Sequence, residues 1–415
     1  MTRVLHVITG LEHGGAERQL ALLLRHLPAV SAAAVSCEVA TLTRTGTLGA
    51  QIRSTGVPVH EIGMRGNRDV AALPRLARLI RRGRYDVVHT HLYRACVYGR
   101  VAARMAGTPR VIATEHSLGD GHIEGRATTR AVRELYRATE RLGSATVAVS
   151  PTVAARLRGW GVPPGRIVTI PNGIDASAFA FDAARRASTR RRLGILPDEP
   201  VVGAVGRLVP TKRFDLLIEA IAPLDGVRLL LVGAGPERGR LERLTRDLGA
   251  SGRVIFAGGT SDVAGVLAAM DALAAPSVQE SFGLGVLEAL AAGLPVRYTT
   301  CPALDDRPPG EAPHARRLPT DAPAWSAEIE RVAKGPRDRT PVPPVVGHYA
   351  ITEQAAKLAR LYEHGLRPLS GTDQTTSTDQ ATSTDQATST DQATSTDQAT
   401  STAQRPRERV HDAAT

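Results

Sequence analysis

Residues 279–295 read QESFGLGVLEALAAGLP and follow the short apolar run Ala272–Ala275. A strand that ends in a glycine-bearing turn and opens onto a helix of small residues is a unit of a sheet wound with helices. Two carboxylates, Glu280 and Glu288, flank the turn. Eight helical residues turn through about 800°, so two helical carboxylates at that spacing point about 80° apart. The reading adopted leaves Glu280 in the loop before the helix and sets Glu288 in its first turns. Gly283 and Gly285 then let backbone N–H groups approach a ligand, and the helix N-terminus offers partial positive charge to phosphate. Glu288 can reach a ribose diol while Glu280 faces whatever the phosphate carries, which suits a sugar nucleotide. An isolated pair of this kind is more often a plain set of helix-dipole partners, so the rest of the chain decides.

Outward from this stretch, short β-branched runs alternate with longer amphipathic ones, the pattern of βαβ units and parallel sheets. The first half predicts strands at Val4–Thr9, Val35–Leu42, Pro58–Ile62, Asp86–Thr90, Arg110–Thr114 and Thr146–Ser150, with helices such as Ala16–Leu27 and Ala71–Arg82 between them. A second series predicts strands at Val201–Gly206, Val227–Val232, Arg253–Ala257 and Ala272–Ala275. Its helices fall near Arg213–Ala222, Glu237–Leu248, Asp262–Met270 and Leu284–Ala292. The fold class expected is α/β, with two Rossmann-like doubly wound domains facing across a cleft. The expected bounds are 1–180 and 181–349, with a closing helix over 350–366. Pro171-Asn172-Gly173-Ile174-Asp175 is the turn-forming junction. Residues 376–399 are four copies of TSTDQA, with no apolar residue larger than alanine. Such a tract cannot offset the entropy of ordering, so disorder is expected over 367–415. A six-residue β-helix needs large stacked apolar residues, which the repeat lacks.

At 415 residues the chain is too long for one ordinary core. Aromatics make up only 3%, so Leu, Val, Ile and Ala must build the interior. Cys37, Cys96 and Cys301 sit far apart without a CxxC pattern, which argues for a reducing compartment and against a disulfide framework or zinc site. The net charge of +11 suits nucleic acid, anionic lipid or phosphorylated ligands alike. No segment approaches the roughly 20 apolar residues of a membrane span. MTRVLHVITG reads as a buried strand rather than a signal peptide, so a cytoplasmic location is expected.

Further parts recur at predicted strand ends. Gly14 and Gly15 lie between the first strand and its helix, where backbone can approach a ligand; a simple turn reading is equally good. His116 follows the strand at Arg110–Thr114 and points into the expected cleft. His89 and His91, at the end of the preceding strand, are read as loop-anchoring groups with one ring on each side or near the strand mouth. In GRLVPTKR, Arg207 sits at a strand mouth and Lys212 begins the next helix. Two cations there can clamp a diphosphate and stabilise the charge that grows as it leaves. Arg213 reads as a solvated surface charge. Val232-Gly233-Ala234-Gly235-Pro236 is a third strand-to-helix glycine turn, read as architectural with some backbone contact to the nucleotide.

With GGAE, TEHS, VSPTVAARL, IPNGID, GRLVPTK, VGAGP and E-x7-E in this order, residues 1 to about 366 resemble glycosyltransferase family 4. These are retaining enzymes of the GT-B type, with two Rossmann-like domains. The resemblance implies that Arg207 and Lys212 are the diphosphate clamp and Glu288 the ribose ligand. It makes Glu280 a contact of the donor sugar and His116 the cleft histidine near that sugar. Gly14 and Gly15 match the loop that nears the phosphates, and Phe282, Gly283 and Leu284 complete the donor-binding set. One departure stands out. After Gly293-Leu294-Pro295-Val296 the family continues with a valine-rich strand and a glycine-rich acidic turn, whereas this chain reads RYTTCPALDD. Arg297 in a buried strand would be costly unless paired.

The activity expected is transfer of a sugar from a nucleoside-diphosphate sugar to a hydroxyl with retention, in cell-surface polysaccharide or glycolipid synthesis. No carboxylate is placed as a covalent nucleophile, so front-face departure is favoured, with a donor phosphate oxygen accepting the acceptor's proton. No Asp-x-Asp motif lies at a strand end, and neither a metal nor another cofactor is expected. The acceptor is a sugar or a lipid-linked molecule. Arg75, Arg78, Arg81, Arg82 and Arg84 crowd a helix with Leu73, Leu76, Leu79 and Ile80. That helix can either lie on anionic lipid at the inner face of the plasma membrane or pack on the sheet with a solvated arginine face. A nucleotide-sugar-binding subunit that has lost transfer is the rival reading. Nucleic-acid binding fits poorly, because the basic residues are dispersed and lack aromatic stacking partners. A dehydrogenase is excluded for want of GxGxxG with its downstream acid.

Overall fold

The computed structural model describes residues 1–366, apart from residues 13, 32, 33, 120, 121, 124, 125 and 309 and the side chains of residues 122 and 126. The TSTDQA tract, expected to be disordered, lies outside the described residues with the rest of 367–415.

Strand and helix alternate along the described chain, as the hydrophobic pattern predicts. The strands of the first half are β1 (Thr2–Ile8), β2 (Val35–Thr41), β3 (Val59–Glu61), β4 (Val87–His91), β5 (Arg110–Glu115), the short hairpin arms β6 (His122–Ile123) and β7 (Arg126–Ala127), β8 (Ala145–Ala148) and β9 (Ile167–Thr169). Those of the second are β10 (Val201–Val205), β11 (Arg228–Val232), β12 (Val254–Gly258), β13 (Ala272–Ala275), β14 (Val296–Tyr298) and β15 (Ala315–Arg317). They form two all-parallel sheets, β3-β2-β1-β4-β5-β8-β9 and β12-β11-β10-β13-β14-β15. In each, the strand order reverses beside the first strand, at β1/β4 and at β10/β13. Ligand crevices form at the carboxyl ends of such switch points. The stretches that follow β1, β10 and β13 are the ones singled out from the sequence.

Expected strand ends lie within two residues of the observed ones, and where they differ pairing and not pattern sets the limit. The three-residue strands β9, β14 and β15 lie outside the predicted set, whereas β3, equally short, lies within it. Arg297 does lie in a strand, β14, and its guanidinium is met by Glu328 of the helix Ala322–Lys334.

The two halves share a core. One buried apolar cluster runs from Ala113, Ala148 and Val153 through Ile174 to Phe282, Leu287 and Tyr349. The chain crosses between the halves twice, side by side: Ile174 N–H donates to Tyr349 O (2.8 Å), and Ile351 N–H donates to Ile174 O (2.9 Å). The helix Ile351–His364 then packs Ala355, Leu358 and Tyr362 against Val4, Leu23 and Leu27 of the first half. Among the described residues, no helix is long and apolar enough to cross a membrane.

Candidate functional site

Gly14 caps the helix Gly15–Val30 in extended conformation, and that helix begins against the second half: a Cβ on Gly15 would lie 3.9 Å from Leu284 Cδ1. Leu284 opens the helix Leu284–Ala291. Two helix starts therefore meet across the cleft, and each directs unpaired N–H groups and partial positive charge toward it. Gly283 starts the second helix at φ 107°, and a Cβ there would collide with Cys301 Sγ, so only glycine makes this turn. The ring of Phe282 faces the core instead, 5.0 Å edge-on from Tyr349.

Glu280 lies in the loop before the helix and is ion-paired with Lys212. Lys212 closes the short turn Pro210–Lys212 rather than opening the helix Phe214–Ile221, because Arg213 intervenes in left-handed conformation at φ 52°. Arg207 stands exposed just beyond β10, with no ion pair among the described residues. Gly233, at φ 149°, abuts the Gly206 carbonyl, in keeping with an architectural role for that glycine turn.

Glu288 sits in the second turn of its helix and is buried. Arg18, from the first turn of the helix Gly15–Val30, places Nη2 at 3.3 Å from Glu288 Oε1. Glu288 Oε2 is buried and has no hydrogen-bond partner. Burial raises the carboxyl's pKa, and Arg18 opposes the rise.

First-half side chains also hold the loop that carries Glu280. Arg156 donates to Glu280 O (3.0 Å) and to Leu118 O (3.1 Å). Ser150 caps the helix Pro151–Gly159 and donates its hydroxyl to Ser281 O at 2.8 Å. Thr152 reaches Asp306 with its hydroxyl at 3.1 Å. The VSPTVAARL segment was legible as a motif, but this pinning needs two distant loops in contact and had no signal in spacing.

The histidines differ from expectation. His89 and His91 do not take opposite sides. Residues two apart in a strand share a face, and their rings lie 4.1 Å apart on one face of the first sheet. His91 links His6 (3.0 Å) and His116 (3.1 Å) into a row, while His89 bonds the Tyr362 hydroxyl (2.6 Å) and Thr114 (2.7 Å). His116 turns Nε2 to His91, and its Nδ1 is buried on the side of Asn172. Burial lowers His6 to about 3 and His116 to about 4, the latter partly offset by Asn172. His89 and His91 are likewise lowered well below the ordinary value, by burial first and then by their neighbouring histidines. Ligand atoms of His6, His89 and His91 lie within 4.8 Å of one another, close enough for a metal ion, but both nitrogens of His89 and of His91 already have hydrogen-bond partners.

The structure thus brings Lys212 to Glu280, and Gly15 and Arg18 to the Leu284–Glu288 turn, beside Gly283. A family model described as Glycosyltransferase Family 4 matches residues 13–178, and one described as Glycosyl transferases group 1 matches residues 185–304. The chain is similar to the D-inositol 3-phosphate glycosyltransferases of Mycobacterium bovis (strain BCG / Pasteur 1173P2) and Mycobacterium tuberculosis (strain ATCC 25618 / H37Rv). Each is 33% identical over 231 residues, 52% of this chain and 47% of the relative. The chain spans about half the length of the curated relatives it matches. Among solved structures it is similar to HepE of Anabaena in complex with UDP and glucose, with TM-score 0.75, 20% identity, and coverage of 88% of this chain and 100% of that one. It is also similar to the sucrose-phosphate synthase of Thermosynechococcus elongatus, with TM-score 0.70, 22% identity, and coverage of 88% and 98%. At such identities the likeness is one of fold, the two facing Rossmann-like domains of the GT-B type. Glycosyltransferase family 4 is thus matched over the first half of the chain and glycosyl transferases group 1 over the second, so that both halves match glycosyltransferase models.

Proposed function

We propose that this protein transfers a sugar from a nucleoside-diphosphate sugar to a hydroxyl acceptor, with retention of configuration. The observation that carries the reading is the meeting of two helix starts, at Gly15 and Leu284, beside the Lys212–Glu280 pair and the buried Glu288. In this reading Glu288 receives the ribose hydroxyls. The diphosphate lies at the helix start near Gly283, held by Arg207 and Lys212. Glu280 and the His116 segment border the donor sugar. Two fold neighbours, HepE in complex with UDP and HepE in complex with UDP-glucose, make a uridine nucleotide the first candidate.

The chemistry follows from these placements. The bond from the anomeric carbon to the leaving phosphate oxygen lengthens, and negative charge gathers on the diphosphate. Arg207, Lys212 and the helix N–H groups are pre-set to stabilise it. The acceptor hydroxyl attacks from the same face and gives its proton to a phosphate oxygen, so no protein carboxylate need become covalently bound. The helix Ala72–Gly83 packs Leu76, Ala77 and Ile80 into the core, the packed alternative, and leaves Arg78, Arg81 and Arg82 exposed; an acceptor delivered from an anionic surface, as in polysaccharide or glycolipid synthesis, would rest on those arginines alone. The stretch after Val296 lends little to a transfer-dead reading, since β14 keeps its place in the sheet with Arg297 paired.

A melting panel of sugar nucleotides tests the reading. A donor at 100 times its dissociation constant adds about 2.7 kcal/mol and raises the melting temperature. The bound donor should then yield an α-linked product with a membrane or sugar extract. A flat panel would retire the assignment.

A further inference from the structure

The one ion pair of Glu288 among the described residues reaches across to the other half of the molecule. An isolated buried carboxylate tends to take up a proton, and a protonated carboxyl loses the acceptor strength that a vicinal diol requires. Glu288 gets little help from its own helix, because it lies beyond the first turn, where the dipole is felt. The positive charge beside it comes from Arg18, whose Nη2 holds Oε1 at 3.3 Å. That contact leaves Oε2, buried and without a partner, as the oxygen still able to accept a bond. Arg18 can do this only while the helix starting at Gly15 abuts the one starting at Leu284.

We propose that Arg18 is a positioning residue for ribose recognition: from the first domain it holds one oxygen of Glu288 and orients the other, free one toward the sugar hydroxyls, so that the nucleotide is read in full only when the two halves are closed. This rests on Glu288 being the ribose ligand. It adds that the second half alone does not make a complete nucleotide site. A merely structural ion pair would instead weaken all nucleotides alike when cut.

Calorimetric titration of the full chain with UDP, ADP and GDP, and then with the 2′,3′-dideoxy form of the tightest, separates these cases. The wild type should prefer the ribonucleotide by roughly 10- to 100-fold, as expected for hydrogen bonds to a charged acceptor. Arg18→Ala should bring that ratio close to one while the dideoxy affinity changes little, and Arg18→Lys should restore part of the ratio. Should Arg18→Ala fail to fold, judged by its melting curve, Arg18→Lys still reports through its intermediate ratio. If Glu288→Gln abolishes the preference but the Arg18 variants keep it, the ribose assignment stands and the role of Arg18 falls. If the wild type shows no preference, or binds none of the three, the ribose assignment itself falls and takes this inference with it.

Discussion

Arg207 and Lys212 were read from the sequence as a matched clamp, yet they stand in different states. Lys212 is held by Glu280, so an incoming diphosphate competes for it with a carboxylate already in place. Arg207 is exposed and unpaired among the described residues, and its full charge is available to a developing anion. We therefore expect Arg207→Ala to lower turnover by about 100-fold, as for loss of one pre-set charge stabiliser. Because the loss falls on the transition state, kcat and kcat/KM should drop together, which initial-rate kinetics on the donor found by the melting panel would show. Near-normal turnover would remove Arg207 from the clamp. Both cations were legible because their strand and helix are strongly patterned. Arg18 was not, since nothing in its neighbourhood points to a glutamate 270 positions away.

At the scale of elements, β14 shows how a strand can carry a charge. Arg297 would be costly in a sheet interior, but Glu328 meets it along with Arg316 and Arg331. Burial alone would raise the Glu328 carboxyl; Arg331 and Arg297 instead hold it down at about 2. Removing one partner of a buried pair leaves the others uncompensated, so Glu328→Gln should destabilise the protein by about 3 kcal/mol. Urea unfolding should show an earlier midpoint with little change in slope. The sign with pH follows from the lowered value. The contribution of Glu328 is complete above its ordinary 4.5 and disappears as pH falls toward 2, so the difference between variant and wild type should shrink in that window.

For the whole molecule, the final helix closes the first half over a row of buried histidines, with Tyr362 bonded to His89 at 2.6 Å. His6, His89, His91 and His116 are all held neutral by burial, the first at about 3 against an ordinary 6.5. Between those values the unfolded chain binds protons that the folded one refuses, so stability falls as pH drops below 6.5. At pH 5.5 the loss is about 1.4 kcal/mol each for His6 and His116. Urea titrations at pH 7.5 and 5.5 would check this, and replacing His89 by Gln should reduce the difference. A flat response between the two pH values would contradict neutral burial of the row. The paired crossings at Ile174 and Ile351 lie side by side, so motion between the halves would bend two adjacent segments and act directly on the Arg18–Glu288 contact.

Read alone, the sequence determined the alternation of strand and helix, the two parallel sheets, and the stretches at their carboxyl ends. Each of those depends on periodicity and turn chemistry within some twenty residues. Only the tertiary structure decided which polar groups share a partner. Arg18 with Glu288, and Arg156 and Ser150 with the Glu280 loop, depend on how the two sheets close on one another; Glu328 with Arg297 and His116 with His91 depend on packing within one half. Such contacts are selected by packing and by the cost of burying charge unpaired, and that cost is set by neighbours far away in the chain.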